Sequence, residues 1–208
     1  MTSSKSLPTT IVSMMTLASI LAFLMLTWNA PAIGAETAQT VVLVARPSFQ
    51  DPLYGHTILV ARQIAGDQYV GFILNKPTEL KLAEAFPGNE ASTKVTDPLY
   101  LGGPSEMGAV FALVHGNGIP SDGTLALTDN LYLAISDTAV DKAMNPGADD
   151  RARFFVGAVV WRPGELAAEI RQGAWYVLEA TPELVLPRRT TGLWEELVRQ
   201  AEISANSI

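Results

Sequence analysis

Cysteine is absent from the 208 residues, and histidine occurs only twice, as His56 and His115. Without cysteine there is no disulfide, no thiolate zinc site and no cysteine nucleophile, and the redox compartment stays open. Charge is sparse as well, at 17% of residues, and it leans acidic: 14 basic against 21 acidic side chains give −7. That balance lacks the clustered Lys and Arg that phosphate backbones require, so no nucleic-acid partner is expected. The GxSxG nucleophile turn, HExxH, the P-loop and the GxGxxG turn are all missing. With them go the common routes to a serine hydrolase, a zinc protease and a nucleotide enzyme. No cofactor motif and no ligand-spaced metal cluster replaces them.

What is present is apolar bulk. A hydrophobic fraction of 48% in a chain of this length suits one globular domain with a sizeable core. The longest apolar run, Ile11 to Trp28, follows Lys5, the only charge among the first 35 residues. Small-residue sites come next, at Ala30-Pro31-Ala32 and Ile33-Gly34-Ala35. A positive start, an apolar stretch and a small-residue end are the parts of a secretory signal. The run is 18 residues long, at the border of a membrane span, but Ser13, Thr16 and Ser19 interrupt it. Residues 1–35 are therefore expected to be a signal peptide, or else an N-terminal anchor through residues 11–28. Residues 36–208 are expected to form a single exported domain, periplasmic or, with the anchor kept, held at the inner membrane.

The remainder reads as short strands with small helices between them. Val41–Ala45, Thr57–Ala61, Tyr69–Leu74, Leu99–Leu101, Ala109–Val114, Thr124–Leu127, Leu131–Ala134, Arg153–Trp161 and Trp175–Glu179 carry β-branched or apolar runs. Ala65-Gly66-Asp67-Gln68 suits a hairpin turn. Helices are expected over 82–86, over 138–144 with Ser136 as cap, over 164–172 and over 193–201. The polar stretch from Gly88 to Asp97-Pro98 reads as a mobile surface loop. Strand and long helix do not alternate, which excludes a doubly wound parallel sheet.

Two segments nearly repeat each other: VGFILNKPTEL (residues 70–80) and VGAVVWRPGEL (residues 156–166). Both read as a strand leaving the sheet through a proline turn. Each exit carries a polar or aromatic residue followed by a cation, Asn75-Lys76 and Trp161-Arg162. Those pairs are candidate ligand or partner contacts if they share a mouth. Gly102-Gly103-Pro104 lacks the spacing of a phosphate loop, and Pro104 has no backbone donor, so tight backbone passage explains it better. His115, ending a strand beside a glycine-rich loop, is the better candidate of the two histidines. A hydrolase would need it joined to a carboxylate such as Asp97 or Glu165 in one cleft. Glu165 and Glu169, four apart on one helix, are more simply a helix-start charge and a solvated face.

Six motifs in order support a family resemblance: ARPSFQDPLYGHTILVA, GFILNKPTELKLAE, LYLGGP, a strand ending LVH, VGAVVWRPGELAAEIRQGAWYV and LWEELV. From about Val41 to Gln200 the chain resembles the YqgE/AlgH family. The resemblance implies an α+β fold, a bifurcated mixed sheet strongly curved into a pseudo-barrel with short flanking helices. It implies no established enzymatic activity, no cofactor and no catalytic residue to carry over. Some members bear a transcriptional-regulator label, which would imply action through protein contacts in the cytoplasm. This chain departs from the family's usual GWGxGQLE by reading VWRPGELA, at Val160, Arg162, Glu165 and Ala167. The expectation that follows is a non-catalytic binding module of the cell envelope, with an unknown protein or small-ligand partner.

Overall fold

The computed structural model describes residues 38–205, apart from 117–121, 146, 148 and 149. Residues 1–35, expected from the sequence to be a signal peptide or anchor, and part of the loop after Gly116 lie outside the described residues. From Ala38 onward the chain forms one compact unit. No described helix is long and apolar enough to cross a membrane.

Five consecutive apolar residues, Val41 to Ala45, can be buried together only in a strand covered on both faces. Strand β1 (Thr40–Ala45) meets that condition, with all five buried. It pairs antiparallel with β2 (Ile58–Ala65) on one side and β10 (Trp175–Glu179) on the other. Alternation then divides the side chains. Val42 and Val44 face one cluster with Ile58, Val60 and Phe72, and Val41, Leu43 and Ala45 face another with Leu59 and Ile73. The hairpin at Gly66 (φ +53°) leads into β3 (Gln68–Ile73).

The sheet continues through β9 (Arg151–Trp161), β6 (Ser105–His115), β8 (Leu131–Ala134) and β7 (Thr124–Thr128). Strand β9 links its two halves. Val159 to Trp161 pair with β3, whereas Arg151 to Val156 pair with β6. Strand β5 (Pro98–Leu101) joins β9 in parallel at Phe155 and Val156, the single parallel pairing among the described residues. Register shifts within β2–β3, β6–β9 and β7–β8 tighten the twist, as bulges do. The sheet curls until the Thr40 hydroxyl donates to the Leu127 carbonyl of the far edge strand at 2.8 Å. The result is a mixed α+β pseudo-barrel. Phe72, Phe155, Leu113, Leu131 and Leu133 fill its interior, each contributing about 1.5–3 kcal/mol.

Short helices cover the rest. Helices α1 (Leu82–Ala85) and α2 (Asp137–Ala143) pack on the outer side of β6 and β9. Helix α3 (Glu165–Arg171) covers the face of β1–β3 that points away from the barrel, and α4 (Pro182–Val185) and α5 (Leu193–Ala205) close the barrel side. The Ser136 hydroxyl caps α2 by accepting from the Ala139 N–H at 3.2 Å, as the sequence suggests. Ser136→Ala is expected to cost about 1 kcal/mol in urea denaturation.

Three details differ from the sequence reading. The 88–97 stretch is not simply a surface loop: Ala91 and Ser92 are buried, and a 3₁₀ turn spans Ser92–Lys94. The Ser92 hydroxyl donates to the Asn89 carbonyl, and this local partner lets a polar residue sit inside. Pro77–Lys81 forms an extra strand, β4, against β5. Its side chains are largely exposed, so no apolar alternation announces it. Helix α4 is likewise too short to carry a period, although Thr181 caps it and Pro182 opens it.

Candidate functional site

The two near-repeats are neighbours, because β3 and β9 run antiparallel with Tyr69 opposite Trp161 and Gly71 opposite Val159. Their exits therefore leave from opposite ends of the pair. Asn75 lies six residues beyond Tyr69, about 20 Å along the strand. Asn75-Lys76 and Trp161-Arg162 do not share a mouth.

Each exit has a local task. The Asn75 amide accepts from the Ile58 N–H and donates to the His56 carbonyl, both at 2.9 Å, and so pins the start of β2. His56 needs that support, since it takes φ +60°. The Lys76 ammonium donates to the Leu53 carbonyl. Burial pushes its pKa down, and nearby Asp51 opposes the drop. At the other exit Trp161 is buried, and its indole donates to Glu169 Oε2 at 3.0 Å. The Trp175 indole donates to the same oxygen at 2.8 Å. Glu169 is thus no solvated face but a shared acceptor for two buried indoles. Arg162 is exposed, and its backbone N–H donates to Glu165 Oε2 at 2.8 Å.

Gly102 and Gly103 lie against β9 so closely that a Cβ would fall 2.2 Å from the Gly157 oxygen or 2.3 Å from the Ala158 carbonyl. Tight backbone passage accounts for both, and Pro104 directs the chain into β6. Among the described residues, His115 makes no hydrogen bond to a carboxylate. Its Nε2 lies 3.3 Å from the Asn130 amide nitrogen, and its Nδ1 is buried without a protein partner. Among the described residues no group of three or more His, Asp and Glu side chains is placed to hold a metal.

Two adjoining clefts lie elsewhere, at the start of β9. The first, about 340 Å³, is lined by Asp97, Asp150, Arg151, Ala152, Arg153 and residues 186–188. The second, about 440 Å³, shares Asp97 and Ala152 and adds Lys94, Val95, Thr96, Ala143, Met144, Asn145 and Phe154. Their sizes fall in the range of small-molecule sites. Arg151 and Arg153 stand opposite His115 and Leu113 across the β6 ladder, on the barrel side with Phe155. Arg153 is only 5% exposed. Its Nη2 donates to the Pro187 carbonyl at 2.6 Å, and the guanidinium lies 4.6 Å from the Tyr100 ring centre. Nε and Nη1 are buried without a partner. Burial pushes its pKa down, Tyr100 and Asp97 act against that, and Arg151 adds to it.

The motif search did not find this site, although a signal was available. In Arg151-Ala152-Arg153-Phe154-Phe155, period-2 alternation puts two arginines on the face of a fully buried phenylalanine. Cations on an inward face are rare enough to mark a site.

Comparison with known proteins places the architecture. A sequence profile described as AlgH-like matches residues 42–206. A UPF0301 protein of Chlorobaculum tepidum is 31% identical over 160 residues, covering 76% of this chain and 83% of its own. A UPF0301 protein of Pelodictyon phaeoclathratiforme is 31% identical over 172 residues, 80% of this chain and 90% of its own. Among solved structures, the crystal structure of protein DIP2367 from Corynebacterium diphtheriae superposes with a TM-score of 0.65 at 24% identity, over 79% of this chain and 87% of that one. The solution structure of the AlgH protein from Pseudomonas aeruginosa gives 0.61 at 23%, over 76% and 86%. At those identities the two structures speak for the fold alone.

Proposed function

The chain belongs to the AlgH-like family, and on that premise we propose that it is a non-catalytic binding module of the cell envelope. The observation that carries this reading is the pair of adjoining clefts at the start of β9, which share Asp97 and Ala152. The hydrogen-bond pattern around His115 supports binding over hydrolysis, because among the described residues neither ring nitrogen engages a carboxylate. The net charge of −7 argues against a regulator that touches DNA. Envelope residence is supported by the charge, apolar run and small-residue sites of residues 1–35. Cleavage after Ala35 leaves 173 residues at −8, since Lys5 is the only charge removed.

Two measurements test this reading. N-terminal sequencing of the protein from a periplasmic fraction should return Glu36 or Ile33 as the first residue; an intact Met1 in the cytoplasm overturns envelope residence. Thr96 is exposed on the rim of the second cleft, so Thr96→Trp should fill the cleft without loss of stability. Native mass spectrometry of the protein from its own envelope should show a co-purifying ligand whose occupancy falls about tenfold or more in that variant, a loss of about 1.4 kcal/mol. Equal occupancy in both proteins removes the cleft as the binding site.

A further inference from the structure

The reading of the clefts as a ligand site leaves the class of ligand open, and the side chains around Arg153 narrow it. We propose that the first cleft takes the anionic head, a carboxylate or phosphate, of a small amphiphilic ligand whose apolar tail lies in the second cleft. Arg151 and Arg188 are the donors, and Arg153 is the fixed charge behind them.

Arg153 is the main reason. A guanidinium keeps its proton under all ordinary conditions, so burying it buries a charge. Removing such an ion from water costs several kcal/mol unless a partner of opposite sign and a full set of hydrogen bonds compensate. Arg153 has one carbonyl, Pro187, and one ring face, Tyr100. Two of its three nitrogens have no partner among the described residues. A hydrophobic side chain of similar volume would suit the barrel interior better, as Phe155 does two residues on. The charge therefore serves something that binds beside it.

The setting is locally positive in an acidic protein. Among the described residues, three of the eight that line the first cleft are arginines, against 14 basic residues in all 208. Arg188 is exposed and Arg151 is half-buried, so both can reach a ligand directly. Arg153, held beneath them, adds a field that solvent screens poorly. Asp97 and Asp150 share the cleft and set the limit. One Asp150 oxygen is already engaged, accepting from the Gly147 N–H at 3.2 Å. Among the described lining residues, three cations face two carboxylates, a balance that suits an anionic head.

Asp97 also stands at the junction of the two clefts. A carboxylate there repels a second anionic group, so the part of the ligand that passes it must be neutral. Beyond it the lining is mixed: Val95, Ala143, Met144 and Phe154 form an apolar floor, and the exposed Lys94, Thr96 and Asn145 stand around it. A short apolar tail fits that floor, beneath the polar rim.

The test uses the natively processed protein, with four probes at matched concentration: octanoate, octyl phosphate, octylammonium and inorganic phosphate. Amide chemical-shift titration reads both affinity and place. Octanoate and octyl phosphate should shift the amides of Asp97, Ala152, Arg153 and Phe154, and their relative affinities separate carboxylate from phosphate. Inorganic phosphate should bind at least about tenfold more weakly, and octylammonium should leave those amides unmoved. Arg151→Met and Arg153→Met should each weaken octanoate about tenfold or more, and Asp97→Asn should tighten it. Arg153→Met should also leave the melting temperature of the free protein unchanged or raised, which an arginine kept only for stability would not do. If that variant fails to fold, Arg188→Ala on the surface takes its place in the affinity comparison. Equal binding of octanoate and octylammonium at these amides overturns the anionic class while the cleft stands as a ligand site. Unchanged octanoate affinity in the arginine variants, or no shift from any probe, overturns the inference itself; envelope residence and the co-purifying ligand are decided by their own measurements.

Discussion

Gly157→Ala is expected to destabilise the protein by about 3–5 kcal/mol, at the upper end for a single substitution. Gly157 sits in the middle of β9, where the pairing with β6 shifts register between Val156 and Ala158 and the pairing on the other edge passes from β5 to β3. Its φ of +72° lies in the left-handed region, which costs a side-chain-bearing residue about 1–2 kcal/mol. The larger part is steric. A Cβ there would lie 2.3 Å from the Gly103 oxygen and 3.0 Å from the Ser105 oxygen, both backbone atoms that cannot turn aside. Nor can the facing strand retreat, because Gly102 is tied on both sides. Its N–H donates to the Val156 carbonyl at 2.8 Å, and its own carbonyl accepts from the Ile73 N–H at 2.9 Å. Urea denaturation measures the loss, and Gly173→Ala is the control. Gly173 has φ +79° but nothing within 4 Å of the added carbon, so only the conformational cost of about 1 kcal/mol remains. Equal losses in the two variants would refute the close-approach account.

Glu169→Ala is expected to cost about 2–4 kcal/mol, with Glu169→Gln losing about half as much or less. The alanine variant leaves the buried Trp161 and Trp175 indole N–H groups without an acceptor, at about 1–3 kcal/mol for each. Glutamine keeps one carbonyl oxygen in place and gives up the charge. Tryptophan emission reports the difference directly and should shift to the red only in the alanine variant.

Tyr54 supplies a second reading of the same group. Burial raises its pKa most, followed by the negative charges of Glu169 and Asp51. Glu169→Gln should therefore move the Tyr54 titration down toward its ordinary value, followed by phenolate absorbance. An acid whose folded pKa is raised holds its proton longer in the native state. Its contribution to stability is thus fully present below the ordinary tyrosine value of about 10 and is lost as pH rises from there through the raised folded value. An unmoved Tyr54 titration in Glu169→Gln would show that the carboxylate does not act on the ring.

Much of the architecture was legible because it rests on short-range pattern. Trp175–Glu179 is a strand in sequence and structure alike, and Ser136 caps its helix as its hydroxyl predicts. The buried runs Val41–Ala45 and Tyr69–Ile73 declare themselves because a strand covered on both faces has to be apolar throughout. Pro77–Lys81 does not, since an exposed edge strand has no such constraint. The near-repeat was correctly read as two unlike strand exits. The first passes through β4 before its helix begins at Leu82, and the second starts its helix at once at Glu165.

The site was harder to read. Asn75-Lys76 and Trp161-Arg162 look equivalent along the chain, and only the antiparallel pairing of β3 with β9 sends them to opposite ends. Glu169 resembles a solvated face in a heptad-scale view, and two indoles from other elements make it an acceptor. Sequence alone determined the apolar strands, the caps, the α+β class, the export-like N-terminus and the family resemblance, because each depends on neighbours a few residues apart. Tertiary structure alone decided that Asp97, Arg151, Arg153 and Arg188 meet, from three stretches spread over some 90 residues. Burial and charge compensation are properties of what lies across space from a residue, and the curl of the sheet sets those neighbours.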